Sequence, residues 1–260
     1  MEFSPEILAL LALAAFCAGL IDAIAGGGGL LTVPALLLAG CDPVTAVATN
    51  KLQGSFGTAS ATLAFTRAGE IRWQNVGPMA AIAVLASILG GLAVSTLPSR
   101  WLGAVIPILL VAVALWFALS AQFGQGDRQA RIGPGAFGLG IVPFIAFYDG
   151  FFGPGAGSFY MLGFVALLGL GGVRAVAQTK ALNLASNAGA LLFFAFSGHI
   201  VWSAGFAMGI AAFAGAQAGS RLVLKHGARL IRPLIVLVCL AMAARLLADP
   251  ANPLRIWLGL

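Results

Sequence analysis

Apolar residues fill this chain in runs of about 20, separated by short polar punctuation rather than alternating with it. A run of that length, wound at about 1.5 Å per residue, matches the roughly 30 Å of hydrocarbon in a bilayer. A membrane barrel would instead need alternating strands of about 10 residues. The pattern predicts a helix over residues 5–22, a short apolar piece over 30–39, and spans over 44–66, 75–97 and 102–121. The stretch 123–134, with Asp127, Arg128 and Arg131, is the most polar in the chain. A helix over 135–149, a piece over 159–170, and spans over 173–196, 203–221 and 232–248 follow it. The expected fold class is all-α, a polytopic membrane protein of about eight transmembrane helices. Residues 1–123 and 135–260 would form two four-segment repeats joined by a polar linker, 124–134, within one membrane domain.

Two places break the apolar pattern. Between Asp22 and Lys51 the chain reads DAIAGGGGLLTVPALLLAGCDPVTAVATNK, with an acid, four consecutive glycines, two prolines and a lysine. Ions in hydrocarbon and lost backbone bonds are both costly, so their concentration marks a site rather than a scaffold. The apolar piece after the glycines spans only about half a bilayer, so residues 5–39 form either a discontinuous helix or a re-entrant element. Pro43 suits the first turn of the helix that follows.

The second break is a copy of the first. Setting Lys51 on Lys180, a shift of 180 − 51 = 129, aligns AVATNKLQGSFGTASATLAFTRAGEIRW with AVAQTKALNLASNAGALLFFAFSGHIVW without a gap. Asp22 and Asp149 each lie four residues before the first glycine of their breaks, Gly26 and Gly153. Internal duplication of this kind is common among secondary transporters. If each broken element crosses the membrane once, the halves are parallel; if it is re-entrant, the count becomes odd and they invert. On an eight-helix topology one face would carry Arg67, Arg72, Arg128, Arg131, Arg245 and Arg255, and the other Arg100, Arg174, Arg221, Lys225, Arg229 and Arg232. That is six against six, so positive-inside asymmetry assigns no orientation at this stage.

Composition narrows the picture further. Hydrophobic residues make up 60% and charged residues 8% of the 260, and the mean hydropathy is +1.01, outside the range of a soluble globular domain. The formal charge of +6 comes from basic residues scattered among loops, not clustered as a nucleic-acid footprint. The start MEFSPE has two acids and no basic region, so the first apolar run reads as a transmembrane helix and not a cleaved signal. Cys17, Cys41 and Cys239 form no CxxC pattern, and His199 and His226 fall in predicted loops, so no metal is expected. With no HExxH, GxSxG or GxxxxGK[ST] sequence either, the chain reads as neither an enzyme nor an ATPase, with no catalytic residue and no cofactor.

The candidate chemistry is that of an anion site. Lys51 and Lys180 lie about two turns into their helices, where an unpaired charge costs roughly 2.5 to 3.5 kcal/mol. Either they snorkel to an interface or they serve an interior anion or ion pair. Counting by three and four from Lys180 reaches Asn183 and Asn187, and from Lys51 reaches Ser55, Thr58 and Thr62. These polar stripes face either a solute or neighbouring helices. Asn50 and Thr179 precede the two lysines. Half-helices starting near Gly29 or Ser158 would aim free N–H groups into the bilayer, making Gly27, Gly28, Gly29, Gly155, Gly157 and Ser158 candidate anion donors. Packing through small residues is the alternative. Asp22 and Asp149 read as counter-ions to the lysines or as proton carriers, and the sequence decides between neither.

The motifs GLIDAIAGGGGLLTVPALL, AVATNK, FYDGFFGPGAGSFY and LNLASNAG resemble the sulfite exporter TauE/SafE family, specifically its YfcA-like branch, over nearly the whole chain and in matching order. By position, Gly26 to Gly29 and Gly153 to Gly157 correspond to the family's glycine motifs, and Ala48-Thr49-Asn50-Lys51 to the segment after them. The resemblance implies a bacterial inner-membrane permease of two homologous halves, exporting or taking up sulfite, sulfonates or related organosulfur anions. The expected function is thus secondary transport of a small anion by alternating access between two repeats. A membrane assembly or insertion partner and an anion channel are the alternatives. The expected partners are a small anionic substrate and the lipid bilayer, with no nucleic acid; a homo-oligomer is left open.

Overall fold

A computed structural model describes residues 3–96 and 127–226, with a few isolated positions beyond them. The spans expected over 102–121 and 232–248 lie outside the described residues. Within them the chain is helical: α1 Pro5–Ala25, α2 Gly29–Leu38, α3 Pro43–Arg67, α4 Trp73–Ser95, α5 Pro134–Gly140, α6 Val142–Phe151, α7 Ala156–Ala166, α8 Gly172–Ser197 and α9 Trp202–His226. The predicted segments reappear with ends shifted by a few residues. Residues 135–149 become two helices, α5 and α6, that meet at Ile141.

Local chemistry sets the ends. The Ser4 hydroxyl accepts from the Ile7 N–H and Pro5 opens α1, while the Asp42 carboxylate accepts from Val44 and Thr45 N–H and Pro43 opens α3. Each acceptor satisfies backbone donors that have no partner inside the helix. α1 stops at Gly26, whose φ of +80° is left-handed. A Cβ there would also lie 2.5 Å from the backbone of Gly157, so glycine is required both by conformation and by the crossing of the two breaks.

Polarity is distributed inside out. Leu10, Leu85, Leu139, Phe144, Phe196 and Ile210 project outward, Phe196 with 86% of its surface exposed, as a lipid-facing belt requires. By contrast, α3 and α8 are long enough to cross a bilayer but too polar to qualify as apolar spans. They bury Thr49, Asn50, Lys51 and Gln53, and Gln178, Thr179, Lys180 and Asn183, at the centre of the bundle. α1, α4, the α5–α6 element and α9 have the length and hydropathy of spans and screen that centre.

Side-chain contacts fix the helix directions. Gly205 packs on Leu52, Gly209 on Phe56, and Ser60 donates to the Phe213 carbonyl at 2.8 Å, so numbers rise together and α3 runs parallel to α9. Gly189 packs on Val84 and Gly91 on Phe193 and Phe194, so α4 runs parallel to α8. α4 leaves the face that α3 reaches after only a short turn, and a span so placed must return. It follows that α8 runs opposite to α3. Contacts at both ends agree: Arg174, at the start of α8, meets Glu70, just past the end of α3, and Val201 N–H donates to Thr49 at 3.1 Å. The lysine helices, matched in sequence, are thus antiparallel, and the described helices of the two halves are related by inversion.

The inversion settles the nature of the breaks. α1 runs parallel to α9, with Gly215 against Phe16 and Gly219 against Leu20, and hence parallel to α3. A chain that ascends in both α1 and α3 must descend between them, so α2 is re-entrant. Its side chains confirm the descent: Gly29 and Thr32 sit beside Asn50, and Asp42 opens α3 after the Gly40 turn.

Candidate functional site

The two breaks meet at the centre, and each is held by an ion pair that crosses between the halves. Lys51 Nζ lies 2.6 Å from Asp149 Oδ1, and Lys180 Nζ lies 2.9 Å from Asp22 Oδ2. Both lysines are fully buried, which answers the question of snorkelling: they point inward and are paired. Each lysine of one half is neutralised by the acid preceding the break of the other, so the duplication produces a reciprocal pair of contacts.

The carboxylates have further partners, and these differ. Asp22 Oδ1 accepts from the Gly28 N–H at 3.1 Å, capping the start of the re-entrant α2. Asp149 Oδ2 accepts from the Ser186 hydroxyl. Under the 129-residue shift Ser186 corresponds to Gly57, so the first half has no equivalent hydroxyl. Lys51 also donates to Asn187 Oδ1 at 3.3 Å.

Between the pairs lies a cavity of about 40 Å³. A water needs roughly 10–15 Å³ by this measure, so the space suits about three waters or one compact ion. Glycines of both breaks line it, Gly26, Gly28, Gly29, Gly153, Gly155 and Gly157, together with Asp22, Asp149, Asn50, Gln53, Thr58, Asn183 and Asn187. Asn50 Oδ1 accepts from Thr32 at 2.6 Å, and Asn187 Oδ1 accepts from Lys51. With each carbonyl oxygen engaged, the group these amides offer the cavity is an N–H₂ donor. Asn183 Oδ1 is buried without a protein partner. The wall thus combines small residues that permit close approach, amide donors, one unpartnered amide oxygen and two carboxylates that are each paired with a lysine behind them.

The structure brings together Asp22, Asp149, Asn50, Asn183, Asn187, Gly28, Gly29, Gly155 and Gly157 around this space. Lys51 and Lys180 stand behind the carboxylates, outside the cavity wall. Gly27 and Thr179 do not line it, and neither does Ser158, whose hydroxyl donates to the Gly26 carbonyl at 3.3 Å and stitches the breaks together. Sequence reasoning passed over Gln53, Gly54, Gly57 and Ser186. Ser186 was reachable, since it lies three residues past Asn183 on the same helix face. Its importance comes from Asp149, 37 residues away in the chain.

The charged rim is also asymmetric. Arg174 reaches both Asp127, in the segment joining the halves, and Glu70, in the turn after α3. Asp127 also accepts from the Gly171 N–H at 2.7 Å, capping α8. That backbone bond and the neighbouring guanidinium hold the Asp127 carboxyl below its ordinary range. Arg67, Arg72, Arg128, Arg131, Arg174, Arg221 and Lys225 all lie at the α3 C-terminal face, given the helix directions above. This corrects the even division expected from a parallel eight-helix topology, which put Arg174, Arg221 and Lys225 on the opposite face. Among the described residues the other face carries no Lys or Arg.

Inverted helical repeats, broken elements and a small polar cavity between them are the architecture of a membrane transporter. The matches to known proteins agree: the family model described as sulfite exporter TauE/SafE covers residues 11–246. The chain belongs to this family of membrane transporters, which are not enzymes. It is 51% identical over 254 residues to "Probable membrane transporter protein ORF9" of Sinorhizobium sp, covering 98% of this chain and 97% of that protein. It is 45% identical over 258 residues to "Probable membrane transporter protein YfcA" of Escherichia coli K12, covering 99% and 96%. A "Probable membrane transporter protein" of Haemophilus influenzae is 39% identical over 249 residues, covering 96% and 98%. No solved structure matches the chain.

Proposed function

We propose that this protein is a secondary transporter, working as an exporter, for a compact sulfur oxyanion of the sulfite class. The carrying observation is the pair of reciprocal ion pairs, Lys51 with Asp149 and Lys180 with Asp22, flanking a cavity built from both glycine breaks. Each lysine stands about 12 Å from a helix end, Lys51 from the start of α3 and Lys180 from the start of α8. Because those helices are antiparallel, one pair lies nearer each membrane face. Breaking one pair while keeping the other would open the cavity to one side at a time. The halves interleave, α9 packing on α1 and α3 and α4 packing on α6 and α8, so the bodies that rock would be α1, α3 and α9 against α4, α6 and α8, with both ion pairs crossing between them. The cavity size favours sulfite over sulfonates with long organic tails.

In this reading the anion draws on Lys51 and Lys180 for charge. Asn50, Asn183 and Asn187 supply amide donors, and Gly28, Gly29, Gly155 and Gly157 allow close approach. Ser158 supports the breaks through its bond to the Gly26 carbonyl and Gly27 through its bond from the Leu30 N–H, and Thr179 is buried beside Lys180 in α8. The site is in the bacterial inner membrane, and the basic α3 C-terminal face is cytoplasmic by the positive-inside rule. The test is sulfite flux in proteoliposomes: Lys51→Met and Lys180→Met should each abolish it while protein stays in the membrane. Full flux in the double variant would refute the anion role, and stoichiometric co-purification with another membrane protein, without sulfite binding, would favour an assembly role.

A further inference from the structure

We propose that Asp149 is the proton-binding group of this site, protonated when the anion is bound so that Lys51 is released to it, while Asp22 stays ionised as a fixed anchor. The inference rests on the anion reading above and adds its coupling.

The first step is charge balance. The empty site holds two buried cations and two carboxylates, Asp149 buried and Asp22 half-buried, in two pairs, and is neutral. Adding a monoanion, which for the sulfite class is hydrogensulfite, to a neutral, water-poor centre leaves one uncompensated charge, which is costly at this depth. If one carboxylate takes a proton from the aqueous side as the anion enters, the loaded site is neutral again. Empty and loaded forms then both reorient without carrying a net charge through hydrocarbon.

The second step is the choice of carboxylate. Asp22 has one oxygen on Lys180 and the other on the Gly28 backbone N–H. An N–H only donates, so a proton on that oxygen would break the bond and uncap α2. Asp149 has its second oxygen on the Ser186 hydroxyl, which can turn from donor to acceptor when the carboxyl gains a proton. A proton on the other Asp22 oxygen would spare that bond but would find no acceptor in Lys180 or Gly28, so of the two carboxyls Asp149 is the one with a hydrogen-bonded partner able to accept its proton. The charged and titratable groups facing Asp149 are Lys51 from α3, Tyr160 from α7 and Tyr148 from its own helix, with Asp22 and Lys180 across the cavity. Lys51 is the cation whose release the proton would permit, and its Nζ already lies beside Gly153 of the second break.

The experiment is sulfite uptake into proteoliposomes with an internal pH dye, reported as protons moved per sulfite. The unaltered protein should move protons in step with sulfite. Asp149→Asn should lose that proton movement relative to its own sulfite flux, and Asp149→Glu should restore it. Proton movement that persists in Asp149→Asn, or is lost relative to sulfite flux in Asp22→Asn instead, would overturn the assignment. So would sulfite transport by the unaltered protein with no proton movement, while leaving the anion reading standing. No sulfite binding or flux at all would overturn both. Infrared difference spectra on sulfite binding give a second readout. The C=O band of a protonated carboxylic acid should appear and should shift in Ser186→Ala; a band unmoved by that substitution refutes the assignment even if Asp149→Asn does not fold.

Discussion

Replacing Lys51 by methionine tests the central ion pair without touching the cavity wall. The Lys51 side chain is 0% exposed and that of Asp149 5%, so water cannot take over the role of the ammonium. Left ionised, the carboxylate is a buried unpaired charge, worth about 3–5 kcal/mol of destabilisation. The expected loss is therefore about 4 kcal/mol. At about 2–4 °C per kcal/mol, thermal unfolding in detergent should shift down by roughly 8–16 °C at neutral pH. Adding Asp149→Asn should recover most of this, because removing both members of a buried pair is close to neutral. A double variant as unstable as the single one would refute the pairing argument.

Three further outcomes follow from other parts of the structure. Gly26→Ala forces a Cβ to 2.5 Å from the Gly157 backbone at a left-handed φ, so it should cost at least about 1–3 kcal/mol in thermal unfolding and reduce sulfite flux. In a background without the native cysteines, Ser203→Cys at the start of α9 should react with an impermeant maleimide on whole cells, and Gln74→Cys at the start of α4 only after lysis; the reverse would invert the proposed orientation. Asp127 is ionised more readily than an ordinary carboxyl, so its cap on α8 should hold from neutral pH down to about 4 and weaken as pH falls through its lowered value. Faster amide exchange at Gly171 only under such acid conditions, measured by mass spectrometry, would show it.

Much of this protein is legible in one dimension. Run length alone gives the helices, because a bilayer imposes a fixed span and requires every backbone group to bond within its own segment. The duplication gives the paired acids, breaks and lysines, because a shift of 129 residues aligns the lysine segments and one of 149 − 22 = 127 aligns the acids and the first glycines of their breaks. The glycines at 26–29 and 153–157 mark where the backbone turns, since only glycine tolerates both the left-handed φ at Gly26 and the contact with Gly157. What the sequence could not supply was direction and partner. Whether the repeats are parallel or inverted depends on which way the short α2 points, and a ten-residue apolar piece reads the same ascending or descending. Only tertiary packing, with Ser60 on Phe213 and Arg174 beside Glu70, decided it. The same packing chose the cross-half pairs and set Ser186 against Asp149 where the first half has Gly57. Those contacts join residues 37 to 158 positions apart, a separation that no local pattern of apolar and polar positions records.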